Sequence, residues 1–404
     1  TGPVISPSFV GGLVGYSYEC SISNSYSTGQ VGGTSFVGGL VGYKTTGSSV
    51  NNSFWDTNTS GQPTSDGGTG KTTAQMKTKT TFTSAGWNFT TIWNIVEGQT
   101  YPFFKRAGYG GGAGTSDDPY RVAKTEDLLE LAANATDFNK CFILTADIDM
   151  QGRVFTTAII AAGGATAFTG TFDGSGHKIV RFTISGGTNN YIGLFGTING
   201  FVKNLGLENC TVSGYWDVGG LVGFINYNGS VSGCYSTGAV SGESEVGGLV
   251  GGGNYTGSIS DCYSTGAVSG SPGSDYVGGL VGCNYFGSIS DCYSTGAVSG
   301  TSDVGGLVGG TYNIGSVSSS FWDTQTSGRT TSAGGTGKTT AKMKTLSTFI
   351  SAGWDFVEAW GIGNGQTYPY LKTFNGINPA DINYSGMVDF QDFAILAEHW
   401  LEGN

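Results

Sequence analysis

The sequence predicts an all-β protein built as a parallel β-solenoid, and three observations carry that prediction. The phrase Gly-Gly-Leu-Val-Gly recurs, starting at Gly11, Gly38, Gly219, Gly247, Gly278 and Gly305, with the variant Ile192-Gly-Leu-Phe-Gly196 one step before Gly219. Starts within a run lie about 27 to 31 residues apart, the length of a solenoid turn that stacks only on its neighbours. Stretches such as Gly287-Ser-Ile-Ser-Asp-Cys-Tyr293 alternate apolar and polar residues, as half-buried strands do, between corners supplied by Gly, Ser and Asn.

Composition narrows the class. The 404 residues include 73 glycines without a three-residue period, which excludes collagen, and 23 Phe with 20 Tyr, which argues against disorder. Only 12% of residues are charged and the net charge is −11, so nucleic acid and anionic membranes are not expected partners. No apolar run approaches the roughly 18 residues of a membrane span. The chain opens inside a repeat, so a leader or larger precursor segment is expected to have been removed.

The elements follow in order. Residues 1–52 form two coils whose first edge, at residues 3 to 15, is expected to stand open; about three repeats are needed for a self-sufficient core. Residues 53–107 are a closing segment, Ser53-Phe-Trp-Asp-Thr57 through Gly98-Gln-Thr-Tyr-Pro102, which returns in residues 320–374 as Ser320-Phe-Trp-Asp-Thr324 through Gly365-Gln-Thr-Tyr-Pro369. Between them, residues 108–319 form a second solenoid, entered through the joint Gly108-Tyr-Gly-Gly-Gly-Ala-Gly114. Its lead-in is a short amphipathic helix over Glu126 to Asn134, capped by Thr125, with Leu128, Leu129, Leu131 and Ala132 on its apolar side. Strands are expected at Cys141 to Leu144, Phe168 to Phe172 and Lys178 to Ile184, the last two joined by a turn at Phe172–Lys178.

Within the coils, Leu13, Leu40, Leu194, Leu221, Leu249, Leu280 and Leu307 are predicted to fill the interior as ladders, while paired glycines leave the facing of the adjacent Val open. Cys234, Cys262 and Cys292 share one repeat position, Cys210 fits it one coil earlier, and parallel Cβ vectors disfavour bridging, so a ladder of buried thiols acting as small apolar fillers is expected. Cys20, Cys141 and Cys283 lie elsewhere, and no Cys-x-x-Cys pair supports zinc.

Two motifs are declined. Gly67-Gly-Thr-Gly-Lys-Thr-Thr73 and its copy imitate a phosphate loop, but Ser65 and Ser332 replace the first glycine and no βαβ context surrounds them; a turn and helix start is expected. Asp173, His177 and Lys178 could be read as catalytic, yet the chain has 2 histidines and the coil acids (Asp217, Glu243, Glu245, Asp261, Asp275, Asp291, Asp303) sit in turn-like contexts. No enzyme is expected. Loop aromatics Tyr215, Trp216, Tyr227, Tyr255, Tyr285, Phe286 and Tyr312 fit either a sugar- or subunit-binding stripe or local packing.

The phrases Val-Gly-Gly-Leu-Val-Gly and Cys-Tyr-Ser-Thr-Gly-Ala-Val resemble the GLUG repeat of bacterial surface and adhesion proteins. Asp118-Pro-Tyr-Arg-Val122, the helix, Ala146-Asp-Ile-Asp-Met150 and Thr169-Gly-Thr-Phe-Asp-Gly-Ser-Gly-His177 resemble its usual lead-in. The resemblance implies a right-handed parallel β-helix outside the cell and implies no catalytic site.

One stretch carries specific chemistry. In residues 375–404, Asp381, Asn383, Ser385, Asp389 and Asp392 occupy loop positions 1, 3, 5, 9 and 12, Gly386 takes the sharp turn, and Met387 offers its carbonyl. This spacing wraps oxygen ligands around one Ca2+, and Phe393, Leu396, Ala397, Trp400 and Leu401 recur at helical spacing behind it. The EF-hand-like segment resembles half of a type I dockerin, although Ser385 replaces the usual Asp and the second loop-helix is missing. Weak affinity is expected, on the order of 10⁻⁵ to 10⁻³ M. The sequence thus points to a secreted, calcium-stabilised structural subunit, assembling head-to-tail as a homopolymer into a filament or surface layer. A monomeric carbohydrate- or matrix-binding adhesin, with a carbohydrate or cohesin-like partner, is the alternative; a polysaccharide lyase or hydrolase is the remote one.

Overall fold

A computed structural model describes residues 2–105, 108–253, 256–312 and 315–374. The chain divides into two compact units, residues 1–107 and the residues from 108 onward. The molecule is an all-β parallel β-helix with a few short helices. The repeat phrases pair one to one: Gly11 with Gly38 in unit 1, and Gly219, Gly247, Gly278 and Gly305 in succession in unit 2. One face of unit 2 is a five-stranded parallel sheet of Phe195–Ile198, Val222–Ile225, Val250–Gly253, Val281–Asn284 and Val308–Thr311.

The Gly-Gly pair explains the repeat. A Cβ on Gly247 would lie 1.9 Å from the Val250 carbonyl oxygen and 2.6 Å from the Gly282 nitrogen, so backbones approach where a side chain cannot stand. The left-handed backbone falls two residues before the first glycine of the phrase, at Phe9, Phe36, Tyr191, Asp217, Glu245, Tyr276 and Asp303, all with φ between 49° and 59°. The chain bends at the second glycine and the Leu, and the Val begins the next strand, which settles its facing: Leu221, Leu249, Leu280 and Leu307 are buried together with Val222, Val250, Val281 and Val308. Leu13 departs from the interior ladder, at 47% exposed against 0% for Leu40, because within unit 1 no coil covers it.

Three further expectations change. The helix is Thr125–Ala133 with Lys124 at its cap position; the Thr125 hydroxyl instead donates to the Asp149 carbonyl (2.9 Å), while Asp127 accepts from the Ala123 N–H (3.0 Å). The stretch after Phe168 is one strand, Thr171–Ser185, because the Asp-Gly-Ser-Gly segment is absorbed as a register shift between Asp173 and His177. The cysteines are more than apolar filler. Cys210, Cys234, Cys262 and Cys292 are buried free thiols, each donating to the carbonyl two residues before it (3.0–3.2 Å), and the Cys234 N–H donates to Cys262 Sγ (3.4 Å). Ser320 and Ser53 take the same position in the closing coils and make the same bonds. Burial pushes the Cys234 and Cys262 thiols well up, which keeps them protonated and unreactive.

The closing segments are near-identical plugs. Asp56 caps Thr57–Ser60 and also accepts from the Tyr101 hydroxyl (2.7 Å); Asp323 and Tyr368 repeat the latter bond at 2.7 Å. Trp55 lies over Gly39 and Trp322 over Gly306, where an added Cβ would sit 2.0 Å from the indole. The plug supplies the core that two coils lack, since Phe54, Met76, Phe82, Trp87, Trp93 and Ile95 form one buried cluster. The phosphate-loop mimic is part of this plug: Thr69–Lys71 is a strand, Thr72 begins the helix Thr73–Met76 with a capping box, and Lys71 lies over the Phe54 ring.

Candidate functional site: the outer coil edge of unit 1

The proposed calcium ligands Asp381, Asn383, Ser385, Met387, Asp389 and Asp392 lie outside the described residues. The open edge does not. Val4–Ile5, Ser8–Gly11, Val14–Ser17 and Ser21–Ser23 each pair in parallel with the next coil, at Val31–Gly32, Ser35–Gly38, Val41–Lys44 and Ser49–Asn51, and among the described residues of unit 1 none pairs on their other side. Apolar side chains stand in solvent along it: Ile5 is 74% exposed, and Phe9, Leu13 and Tyr16 are 42–49% exposed. A row of unpaired backbone groups beside apolar side chains is a template for another chain.

Beside this edge is a groove of about 670 Å³ lined by Leu13, Tyr26, Ile92, Trp93, Phe103 and Phe104 among others. Unit 2 shows the same plug with its groove filled. Its Tyr293 hydroxyl donates to the Pro369 carbonyl (2.6 Å), as Tyr26 does to Pro102 (2.6 Å). Tyr293 continues into a stack with Tyr263 and Tyr235, with centroids 5.0 and 4.8 Å apart and rings within 8° of parallel. The Trp360 indole N–H donates to Asp261 (3.0 Å) from the same coil as Tyr263. Among the described residues of unit 1 the stack stops at Tyr26, and none accepts from the Trp93 indole N–H. Leu371 is 4% exposed, whereas Phe104, its counterpart, is 69% exposed.

Around the corner from the groove, Phe9 stacks on Phe36 (4.8 Å) and Tyr16 on Tyr43 (5.5 Å), with edge contacts between the pairs. Sequence reading missed this four-ring platform; the signal was present in the matching Ser-Phe-Val-Gly-Gly and Leu-Val-Gly-Tyr phrases of both coils. The loop aromatics weighed in unit 2 as a binding stripe or as local packing divide between stacked pairs and single exposed rings. Tyr215 stacks on Trp216 and Tyr285 on Tyr312, Tyr227 stands exposed, and Tyr255 lies outside the described residues.

The residues weighed for hydrolysis are held in structural pairs. His177 Nδ1 is 3.1 Å from Asp147, Lys178 pairs with Glu208, and Asp173 with Lys203. Among the described residues no group of three or more His, Cys, Asp or Glu side chains is arranged to hold a metal. Of the coil acids only Asp261, Asp291 and Asp303 sit at bends; Asp217, Glu243, Glu245 and Asp275 lie within strands, and two of these form an unanticipated pair. Asp217 and Glu245 occupy one repeat position in successive coils, and Gly252 leaves the space beside them: its Cβ would lie 1.9 Å from Glu245 Oε2 and 2.3 Å from Asp217 Oδ1. Both oxygens are buried without a donor, while Tyr285 donates to the other Glu245 oxygen (2.6 Å). One proton shared between the carboxyls satisfies both atoms. Burial, and then the Glu245 charge, push the Asp217 carboxyl far above the ordinary carboxylate range.

Comparison with known proteins agrees with this architecture. The GLUG motif matches residues 9–32, 214–241, 242–269 and 273–299, so the chain carries GLUG repeats in both units. Halomucin of Haloquadratum walsbyi is 33% identical over 140 residues, which cover 32% of this chain and 2% of that protein. A candidate Gly-rich membrane protein of Evansella cellulosilytica is 40% identical over 101 residues, 23% of this chain and 11% of the other. The chain therefore spans a small part of both relatives. A crystal structure of a candidate immunoglobulin A1 protease from Bacteroides ovatus superposes with a TM-score of 0.54 at 22% identity, over 66% of this chain and 95% of that one, a likeness of fold. Among the described residues no helix is long and apolar enough to cross a membrane.

Proposed function

We propose that this chain is a structural module of an extracellular or cell-surface assembly, a solenoid that joins its neighbours through the outer coil edge of unit 1. The observation that supports the reading is that edge: among the described residues its parallel strands are bonded on one side only, flanked by exposed Ile5, Phe9, Leu13 and Tyr16. Head-to-tail repetition of the contact produces a filament or layer, since a heterologous contact that does not close grows without limit. Calcium, held by Asp381, Asn383, Ser385, Asp389, Asp392 and the Met387 carbonyl, stabilises the tail and with it the assembly. The low charge, the GLUG repeats and a relative described as a membrane protein support a location outside the cell or on its surface. No catalytic role is proposed, because Asp173, His177 and Lys178 are engaged in pairs with Lys203, Asp147 and Glu208.

The second reading, a carbohydrate-binding adhesin, is favoured by one observation: the exposed Phe9–Phe36 and Tyr16–Tyr43 stacks offer ring faces of the kind that pack on sugars. Light scattering and electron microscopy of the full chain separate the two. The assembly reading expects mass to rise with protein concentration in calcium, with fibres or sheets on the grid. Calorimetry is expected to show weak calcium binding that Asp381→Ala abolishes, together with the calcium dependence of assembly. A chain that stays monomeric at high concentration in calcium contradicts the reading.

A further inference from the structure

The corner where the lead-in of unit 2 meets its first GLUG coil holds a pocket of about 330 Å³, lined by Thr157, Gly163, Thr188, Asn189, Asn190 and Tyr191. Two loops of successive coils form it, one after Ile148–Phe155 and one after Thr171–Ser185. The Asn189 side-chain amide ties them together by donating to the Thr156 carbonyl (3.0 Å). Tyr191 is held as well. Its ring packs on Gly164, where an added Cβ would stand 2.8 Å from the ring carbon Cε2, and it meets the Phe224 ring edge-on at 5.5 Å. A site fixed in this way gives up little freedom on binding.

Three features point to the ligand. Every lining residue is uncharged, and together they offer amides, hydroxyls and one aromatic ring. Asn190 Oδ1 is buried with no hydrogen-bond donor among the described residues, an acceptor that costs stability until something supplies one. An aromatic pair stands at the same corner one coil along. The Tyr215 N–H donates to the Asn189 carbonyl and the Tyr191 N–H to the Trp216 carbonyl (both 3.0 Å), so Asn190 lies opposite Tyr215 and Trp216. Those two rings stack 10° from parallel at 5.4 Å, and Trp216 is 47% exposed. Neutral amides and hydroxyls match the hydroxyls of a pyranose, and an indole face matches its C–H face. An anion would meet no cation among the lining residues, and an apolar ligand would leave the Asn190 oxygen unpaired.

We infer that this corner of unit 2 binds a neutral saccharide, one sugar ring of a glycan, with Asn190 accepting from a hydroxyl and Trp216 packing on the ring. The inference goes beyond the assembly reading and uses no part of the unit 1 edge, so either can fail alone. A pocket that admits a single sugar ring holds it weakly, with a Kd on the order of 1 mM.

The test screens the full chain on a printed array of neutral and acidic glycans and titrates the strongest neutral binder by calorimetry. Saturable binding is expected, weakened at least about tenfold by Asn190→Ala and by Trp216→Ala. Asn190→Ala should keep or raise the unfolding temperature, because it removes an unsatisfied oxygen. A lower unfolding temperature with binding intact would make Asn190 a structural residue and overturn its role. Amide exchange of the unmodified chain at saturating glycan supplies a readout that needs no variant. It should slow over residues 187–191 and 214–216 and stay unchanged in Ser8–Gly11 and Val14–Ser17. Binding to acidic glycans alone, or to none, overturns the inference. So does protection confined to Ser8–Gly11 and Val14–Ser17, which would move the sugar to the Phe9 and Tyr16 rings.

Discussion

Gly247→Ala is expected to destabilise unit 2 by more than about 3 kcal/mol, measured by urea denaturation followed by far-UV circular dichroism. Its Cβ would stand 1.9 Å from the Val250 carbonyl oxygen and 2.8 Å from that of Leu280, both backbone atoms that cannot swing aside. Relief requires the coil to move away from the one below, which breaks the Leu249–Leu280 and Val250–Leu280 hydrogen bonds (3.0 and 3.1 Å) and opens a gap beside Val277 and Val281. Because each coil contacts only its neighbours, the damage should split the transition into two steps instead of lowering one midpoint. Gly2→Ala serves as the control: nothing lies within 4 Å of its added Cβ, and its effect should stay within about 0.5 kcal/mol.

The second large effect is a stability that falls as pH rises. The Asp217 carboxyl is pushed up from 3.8 to about 9, first by burial and then by the Glu245 charge. The folded state therefore binds a proton that the unfolded chain releases near pH 4. The pair's contribution is fully present below that value and is lost as pH climbs toward about 9, at which point two charges face each other in a buried site. The groups around Asp217 are Glu245, the Tyr285 hydroxyl bonded to Glu245, and the Cys283 thiol, which burial and these same charges push up. Asp261 and Asp291, also raised by burial, add slope of the same sign, so the comparison must be made against a variant. Asp217→Asn supplies a permanent donor to Glu245 and keeps a residue that tolerates φ of 56°. It should match the wild type at pH 4 and exceed it by at least about 2 kcal/mol at pH 9, read as unfolding free energy across pH. A variant no more stable than the wild type at pH 9 would remove the shared proton.

These two sites also show what the sequence made legible. The repeat spacing was enough to place successive glycine pairs in register and the Leu ladder inside, because a solenoid's contacts are local in repeat number. The reason for the glycines was not legible. They answer a close approach of backbones, while the strained φ falls on Phe9, Glu245 and their equivalents, residue types that rarely signal it. The carboxylate pair could have been found: Asp217 and Glu245 hold one repeat position in adjacent coils, and parallel strands bring such positions about 4.8 Å apart. The bond from Trp360 to Asp261 spans two elements with no shared periodicity, and only the folded plug reveals it. Leu13 was misjudged because a repeat position predicts burial only where a coil lies on both sides.

Hydrogen exchange on the full chain, diluted until monomeric, tests the central claim most directly. Val14–Ser17 and Val281–Asn284 are corresponding strands, one on the outer edge of unit 1 and the other between two coils of unit 2. The edge strand is expected to exchange at least about ten times faster than its counterpart. Equal protection of the two would mean that the edge is already covered, and would contradict a joining face there.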